Sequence, residues 1–138
     1  MQIGIAVARF NQVITDRLLA GAKEELARAG DSDIEFLDVA GAWERPVAVL
    51  ALLNRDCAGV VAIAAVIRGE TDHYDVIVRE SAAGLNQVAI AQGKPVGNAV
   101  LATEDLEQAL ARSEPGPGNK GAEAAAAVVD LARRLASF

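Results

Sequence analysis

The run "GVVAIAAV" at residues 59–66 carries no polar side chain over eight positions. A strand with one face in water alternates apolar and polar residues, whereas a continuous apolar run is typical of a strand that is covered on both faces. Sheets with helices on both faces are mostly parallel. The run therefore predicts a central strand of a three-layer α/β structure.

The segments on either side of this run alternate between strand-like and helix-like patterns. Short apolar runs predict three further strands, at 3–8, 34–40 and 95–101. Apolar residues at helical spacing, together with Pro46 in a first turn, predict helices at 15–30, 46–56, roughly 74–92, 104–112 and 120–136. The order βαβαβαβαα implies right-handed crossovers and a four-stranded parallel sheet.

Length and composition indicate one soluble domain that spans residues 1–138. A chain of 138 residues has the size of one domain, and "SEPGPGN" at 113–119 is a loop between two helices rather than a domain linker. Hydrophobic residues make up 52% of the chain, which excludes a disordered protein, and no apolar run is long enough for a membrane span. Because no secretory signal follows Met1, we expect a cytoplasmic location.

Charge and cysteine content exclude several kinds of site. A net charge of −6 argues against a nucleic-acid surface, which needs clustered Lys and Arg. The single cysteine, Cys57, and the single histidine, His73, predict neither a disulfide nor a metal-ligand cluster. Any anionic ligand must therefore be held by a few local groups.

A polar segment follows each predicted strand: "RFNQ", "GAWER", "IRGETDH" and "ATED". The carboxyl ends of parallel strands meet at one edge of a sheet, and open α/β folds bind their ligands there. Glu44 in the second segment is a candidate acceptor for ligand hydroxyls, and Trp43 is a candidate packing residue. We expect these segments to form a ligand site.

The third polar segment has two interpretations. In "RGETDHYD", at 68–75, free backbone N–H groups and the Thr71 hydroxyl at a helix N-terminus can hold a phosphate. Alternatively, Thr71 or Asp72 only caps the helix. His73 is either a proton-transfer group or an ordinary surface residue.

Three other residues also have alternative roles. Phe10 either stacks on a planar ligand or folds back onto the core. Arg112, at a helix C-terminus, either binds a ligand or only complements the helix dipole. Lys120 opposes the dipole at a helix N-terminus, which favours an anionic or carbonyl ligand. The segment "VARFNQVIT" lacks the glycines of a dinucleotide fingerprint or a P-loop, so NAD and ATP are not predicted.

An ordered set of motifs covers nearly the whole chain and resembles the lumazine synthase family: "IGIAVARFNQVITDRLLAGA", "VAGAWERP", "VIRGETDHYD", "PVGNAVLATEDLEQALAR" and "GNKGAEAA". The resemblance implies a flavodoxin-like fold and an enzyme of riboflavin biosynthesis. It would condense 5-amino-6-(D-ribitylamino)uracil with 3,4-dihydroxy-2-butanone 4-phosphate, releasing phosphate and water. Neither a metal nor a redox cofactor is implied.

The resemblance also implies roles for individual residues. Phe10 would stack on the pyrimidine, whereas Asn11, Glu44 and the backbone around Ala42 and Trp43 would hold the ribityl chain.

For the second substrate, Thr71 and the backbone of Gly69 and Glu70 would receive the phosphate. Arg112 of a neighbouring subunit would pair with that phosphate, His73 would shuttle protons, and Lys120 would meet the carbonyl edge of the ring.

Four positions depart from the pattern of many family members. Ala40 stands where they have Pro, Arg45 where they have an apolar residue, and Ala102 where they have Thr. Asn98 stands where many members carry a Phe that borders the pyrimidine. We expect these departures to change ligand affinity and the uracil pocket rather than the reaction class.

The resemblance implies assembly to at least a ring of five. The short loop "RSEPGPGNK", from Arg112 to Lys120, resembles that of members whose pentamers close into icosahedral shells. Members usually carry a leading segment that joins a neighbour's sheet, whereas this sequence starts near its first strand, so pentamer, decamer and shell all stay open.

Two alternatives to the enzyme remain. A catalytically silent scaffold, shell-forming or flavin-binding, would need none of Phe10, His73, Arg112 and Lys120. An electron carrier of the flavodoxin type would need a phosphate loop after the first strand, which "RFNQ" does not provide.

Overall fold

The computed structural model describes residues 1–31 and 33–138, which form four strands and five helices. In chain order they are β1 (Ile3–Ala8), α1 (Gln12–Arg28), β2 (Ile34–Val39), α2 (Arg45–Leu53), β3 (Gly59–Ile67), α3 (His73–Gln92), β4 (Val96–Thr103), α4 (Leu106–Arg112) and α5 (Lys120–Ala136). A 3-10 turn, Ala42–Glu44, precedes α2. None of the helices in these residues has both the length and the apolar content of a membrane span.

The four strands form one parallel sheet in the order β2-β1-β3-β4, which confirms the predicted α/β class and element order. Strand β3 is central, and its residues Gly59–Ala65 are buried. Val61 and Ile63 pack in a core with residues of α1, α4 and α5, and Val60 and Ala62 pack with residues of α2 and α3. The absence of polar residues from this strand thus reflects a helix layer on each face.

Two boundaries at the ligand edge of the sheet differ from the sequence prediction. Helix α1 begins at Gln12 rather than at residue 15, because Asn11 adopts a left-handed conformation (φ 59°, ψ 50°) that turns the chain directly after β1. Asn is one of the few residues that tolerate this conformation. Strand β4 continues to Thr103, two residues beyond its predicted end. Both differences shorten the loops that carry the polar segments.

Helices α1 and α5 lie unusually close together at Gly121. A Cβ atom on Gly121 would lie 1.9 Å from the carbonyl oxygen of Leu18, so only glycine fits. Asn119, two residues before Gly121, is buried and caps α5: its Oδ1 accepts a hydrogen bond from the N–H of Ala122 at 3.1 Å. Its Nδ2 donates to the Ser113 carbonyl at 3.2 Å, which fixes the end of the 113–119 loop and the start of α5 at Lys120.

Candidate functional site

A cleft of about 410 Å³ opens at the carboxyl edge of the sheet. Three of the four polar segments line it, those that follow β1, β2 and β3. The lining residues are Phe10, Asn11, Gly41, Ala42, Trp43, Glu44, Ala65, Val66, Ile67, Gly69, Thr71, His73, Tyr74 and Ile77. The cleft therefore brings together most of the candidate residues, and it adds Tyr74, Val66, Ile67 and Ile77, which the sequence had not singled out because they read as ordinary core or helix positions.

The first wall of the cleft is the turn after β1. Phe10 is 72% exposed, so it does not fold back onto the core. Its backbone N–H donates to the Ala40 carbonyl at 3.0 Å and fixes the residue at the end of β1. Asn11 donates its side-chain Nδ2 to the carbonyl of Ala65 in β3 at 2.9 Å, so the turn is held against the central strand. The ring of Phe10 is thus presented to the cleft on a fixed backbone.

The second wall is the 3-10 turn after β2. The Glu44 carboxylate accepts a hydrogen bond from the Gly41 N–H at 2.9 Å through one oxygen, and its other oxygen has no partner within the described residues. Trp43 is 55% exposed, whereas Ala42, the first residue of the turn, is buried. This wall offers a carboxylate acceptor, backbone groups and an indole face.

The third wall is the loop between β3 and α3. The Thr71 hydroxyl accepts from the His73 N–H at 3.4 Å, whereas Asp72 makes no capping bond with its side chain. The hydroxyl of Thr71 is therefore a weak cap. In the part of the chain that the structure describes, the N–H groups of Gly69 and Glu70 have no protein acceptor. Such groups ahead of a 20-residue helix can receive an anion.

Arg68 organises this third wall and was missed in the sequence analysis. Its Nη2 donates to Asp75 in the first turn of α3 at 3.2 Å, and its Nε donates to Glu104 after β4 at 3.1 Å. Its guanidinium carbon also lies 4.3 Å from the centre of the Tyr74 ring. These contacts join the loops after β3 and β4 and raise the pKa of Arg68, chiefly through the hydrogen bond to Asp75. The only sequence signal was a basic residue at the end of a buried strand.

Four candidate residues do not line this cleft: Glu70, Asn98, Arg112 and Lys120. Asn98 lies on β4 and accepts a hydrogen bond from Arg45 Nη1 at 2.7 Å. Lys120 pairs with Glu123 at 3.4 Å. Arg112 is exposed, and within residues 1–31 and 33–138 its side chain has no ion pair or hydrogen bond. The described lining of the cleft contains no Lys or Arg, so a bound anion would need a cation from outside it.

A second cleft of about 330 Å³ lies between α1, the loop after α4 and the start of α5. Its lining includes the carboxylates of Glu24, Glu25 and Glu123, with Arg28 already paired to Glu25. This surplus of acidic groups repels a phosphate, so the carboxyl-edge cleft is the better candidate for a phosphorylated ligand.

Comparisons with known proteins agree on one family. The family model for 6,7-dimethyl-8-ribityllumazine synthase matches residues 1–136. A protein of that name from Desulfotalea psychrophila is 45% identical over 136 residues, covering 95% of this chain and 86% of the relative. One from Sodalis glossinidius is 43% identical over 138 residues, covering 97% and 88%. One from Bdellovibrio bacteriovorus is 42% identical over 131 residues, covering 95% and 73%.

Proposed function

This chain belongs to the lumazine synthase family, and we propose that its carboxyl-edge cleft is where ribitylaminouracil condenses with the butanone phosphate. The observation that carries the proposal is the lining of the cleft, in which Phe10, Glu44 and His73 come together from three separate loops. The enzyme is a transferase of riboflavin biosynthesis. Phe10, Glu44 and His73 match three needs of the reaction: binding a flat ring, binding a polyhydroxyl chain and transferring protons.

The pyrimidine substrate would occupy the first two walls. The exposed ring of Phe10 offers a flat apolar face for stacking on the uracil. The free oxygen of Glu44, the free Oδ1 of Asn11 and the backbone at Ala42 and Trp43 offer partners for ribityl hydroxyls. A hydroxyl both donates and accepts, so a mixed wall of this kind suits a sugar alcohol.

The phosphorylated substrate would lie against the third wall. The N–H groups of Gly69 and Glu70 and the hydroxyl of Thr71 would receive the phosphate at the N-terminus of α3. The arylamine attacks the ketone with loss of water, phosphate leaves by elimination, and ring closure releases a second water. Each step moves a proton, and the imidazole of His73 beside the loop would accept and return it.

The missing cation supports a site that is shared between two copies of the chain. A dianionic leaving group needs charge stabilisation, yet no Lys or Arg lines the described part of the cleft. Arg112 and Lys120 are exposed on another part of the surface. We infer that a neighbouring subunit contributes both of them, Arg112 to the phosphate and Lys120 to the ring carbonyl edge, and that Asn98 borders the pyrimidine.

A site shared between copies requires a homo-oligomer, and the resemblance to the family extends it to a ring of at least five subunits, each a single domain spanning residues 1–138. The short loop between α4 and α5 resembles that of family members whose pentamers close into shells, and pentamer, decamer and shell all stay open. We also propose a cytoplasmic location, because the buried free thiol of Cys57 suits a reducing compartment.

A direct assay tests the function. Pure protein is incubated with both substrates while the fluorescence of the lumazine product is followed, with each substrate alone as the control. Product formation that needs both substrates and scales with protein concentration is the expected result. No product at high protein concentration would favour the catalytically silent scaffold instead.

A further inference from the structure

Arg45, the first residue of α2, is completely buried. All four of its hydrogen bonds go to neutral acceptors: Nε donates to the Ala42 carbonyl at 3.3 Å, Nη1 donates to the Ala62 carbonyl at 3.0 Å and to Asn98 Oδ1 at 2.7 Å, and Nη2 donates to Ser81 Oγ at 3.2 Å. No ion pair within the described residues includes it. Burial without a carboxylate lowers the pKa of Arg45 to about 10.

An unpaired buried guanidinium is costly, because a charge leaves water without a counter-charge. A pKa of about 10 still leaves the group charged at neutral pH, so its four bonds are charge-assisted. An apolar side chain of similar volume would fill the same space without the desolvation cost. The choice of arginine therefore needs an explanation beyond packing.

The acceptors of Arg45 come from four different elements, and one of them is part of the cleft. Ala42 begins the 3-10 turn that forms the second wall. Ser81 belongs to α3, the helix that begins with His73, and Asn98 belongs to β4. One side chain thus links the turn to the sheet and to the helix that carries His73.

Few other polar contacts hold the turn in place. Three bonds are local to the turn: Glu44 N–H donates to the Gly41 carbonyl at 3.3 Å, Gly41 N–H donates to the Glu44 carboxylate, and the backbone N–H of Arg45 donates to the Ala42 carbonyl. Trp43 and Glu44 project into solvent. The Arg45 side chain bonds both the Ala42 carbonyl and the Ala62 carbonyl of β3, so it is the polar link in the described structure between this turn and the sheet behind it.

We propose that Arg45 is a positioning residue that fixes the 3-10 turn, Ala42–Glu44, and thereby the subsite for the ribityl chain. This inference rests on the proposed function. Arg45 does not line the cleft, so it acts through the groups it bonds, chiefly the Ala42 backbone, and not by direct contact with the substrate. Lysine would keep the charge but cannot reproduce the Nε bond together with the three Nη bonds.

Steady-state kinetics of Arg45→Met and Arg45→Lys test the proposal, with Arg134→Met as the matched control. Arg134 lies near the end of α5, pairs with Asp130 and contacts neither the turn nor the cleft. In both Arg45 variants we expect the KM for ribitylaminouracil to rise about tenfold or more, because small displacements of positioning groups are costly. The KM for the butanone phosphate should change by less than about twofold, and the control should match the wild type.

Thermal melting of each variant separates positioning from simple loss of folded protein. A kcat that falls in proportion to the unfolded fraction, with both KM values unchanged, would make Arg45 purely structural and overturn the proposal. If Arg45→Met does not fold, Arg45→Lys decides, and an unchanged KM for the pyrimidine in that variant would overturn it.

The wild-type assay keeps this test separate from the proposed function. If the wild-type protein forms no lumazine, the proposed function is refuted, but the positioning role of Arg45 is still open to test. Calorimetric titration of a ribityl-pyrimidine analogue into wild type and Arg45→Lys then tests the turn directly. Weaker binding by the variant supports the role of Arg45, and equal binding overturns it.

Discussion

Asn11 donates its side-chain amide to the carbonyl of Ala65 at 2.9 Å while its backbone is left-handed at φ 59°. The bond joins the end of β1 to the end of β3, and the backbone conformation starts α1 one residue later. Asn11 therefore sets the position of Phe10 in the cleft in two separable ways, through its conformation and through its amide.

Two substitutions at Asn11 distinguish these contributions. Asn11→Gly keeps the left-handed backbone but loses the bond, so we expect a loss of roughly 1 kcal/mol in the free energy of unfolding. Asn11→Ala loses the bond and also strains the left-handed backbone, so its free energy of unfolding should lie about a further 1–2 kcal/mol below that of Asn11→Gly. Denaturant unfolding monitored by circular dichroism measures both. Equal stability of the two variants would show that the left-handed backbone carries no strain.

His73→Ala tests proton transfer. A positioned acid–base group is worth roughly 10²–10⁴-fold in rate, and we expect a loss near the lower limit because an amine and a ketone also condense unaided. Binding of a product analogue, measured by calorimetry, should stay within about twofold of the wild type, since His73 acts on protons rather than on ground-state binding. An unchanged kcat would remove His73 from the mechanism.

Arg112→Ala tests the phosphate partner. Loss of a charge-assisted pair should chiefly weaken use of the phosphorylated substrate, and Arg112→Lys should recover it only in part because lysine lacks the bidentate fork. Separate titrations with inorganic phosphate and with a ribityl-pyrimidine analogue should show weaker binding for the phosphate alone. Equal losses for the two ligands would contradict the assigned role.

The fold was largely predictable because its signals are local. The continuous run at 59–66 indicated a strand covered on both faces, and β3 proved to be an inner strand of a parallel sheet. The start of α1 was predicted three residues late, because helical spacing of apolar residues does not reveal a left-handed turn at Asn11. The 3-10 turn at Ala42–Glu44 was likewise read only as a polar segment, since three residues are too few to show a period.

The candidate site was predictable only where its residues follow the strands directly. Phe10, Glu44 and His73 lie in such segments and line one cleft. The bond between Arg45 and Asn98 joins positions 53 residues apart, so the sequence could flag both as departures from the family but could not pair them. Their proximity depends on the register of β3 with β4, which sets Ala62 beside Asn98.

The central claim is that each site combines His73 of one chain with Arg112 of another, and mixed oligomers test it. When His73→Ala and Arg112→Ala chains are co-expressed in equal amounts, about a quarter of the interfaces pair an intact His73 with an intact Arg112. As the matched control, wild-type chains are co-expressed with chains that carry both substitutions.

Lumazine formation by the purified mixtures is the decisive measurement. The shared site predicts about a quarter of wild-type turnover in both mixtures, because only one interface in four is complete. A site contained within one chain predicts no gain over the separate variants in the first mixture and about half of wild-type turnover in the control. That second pattern would contradict the account.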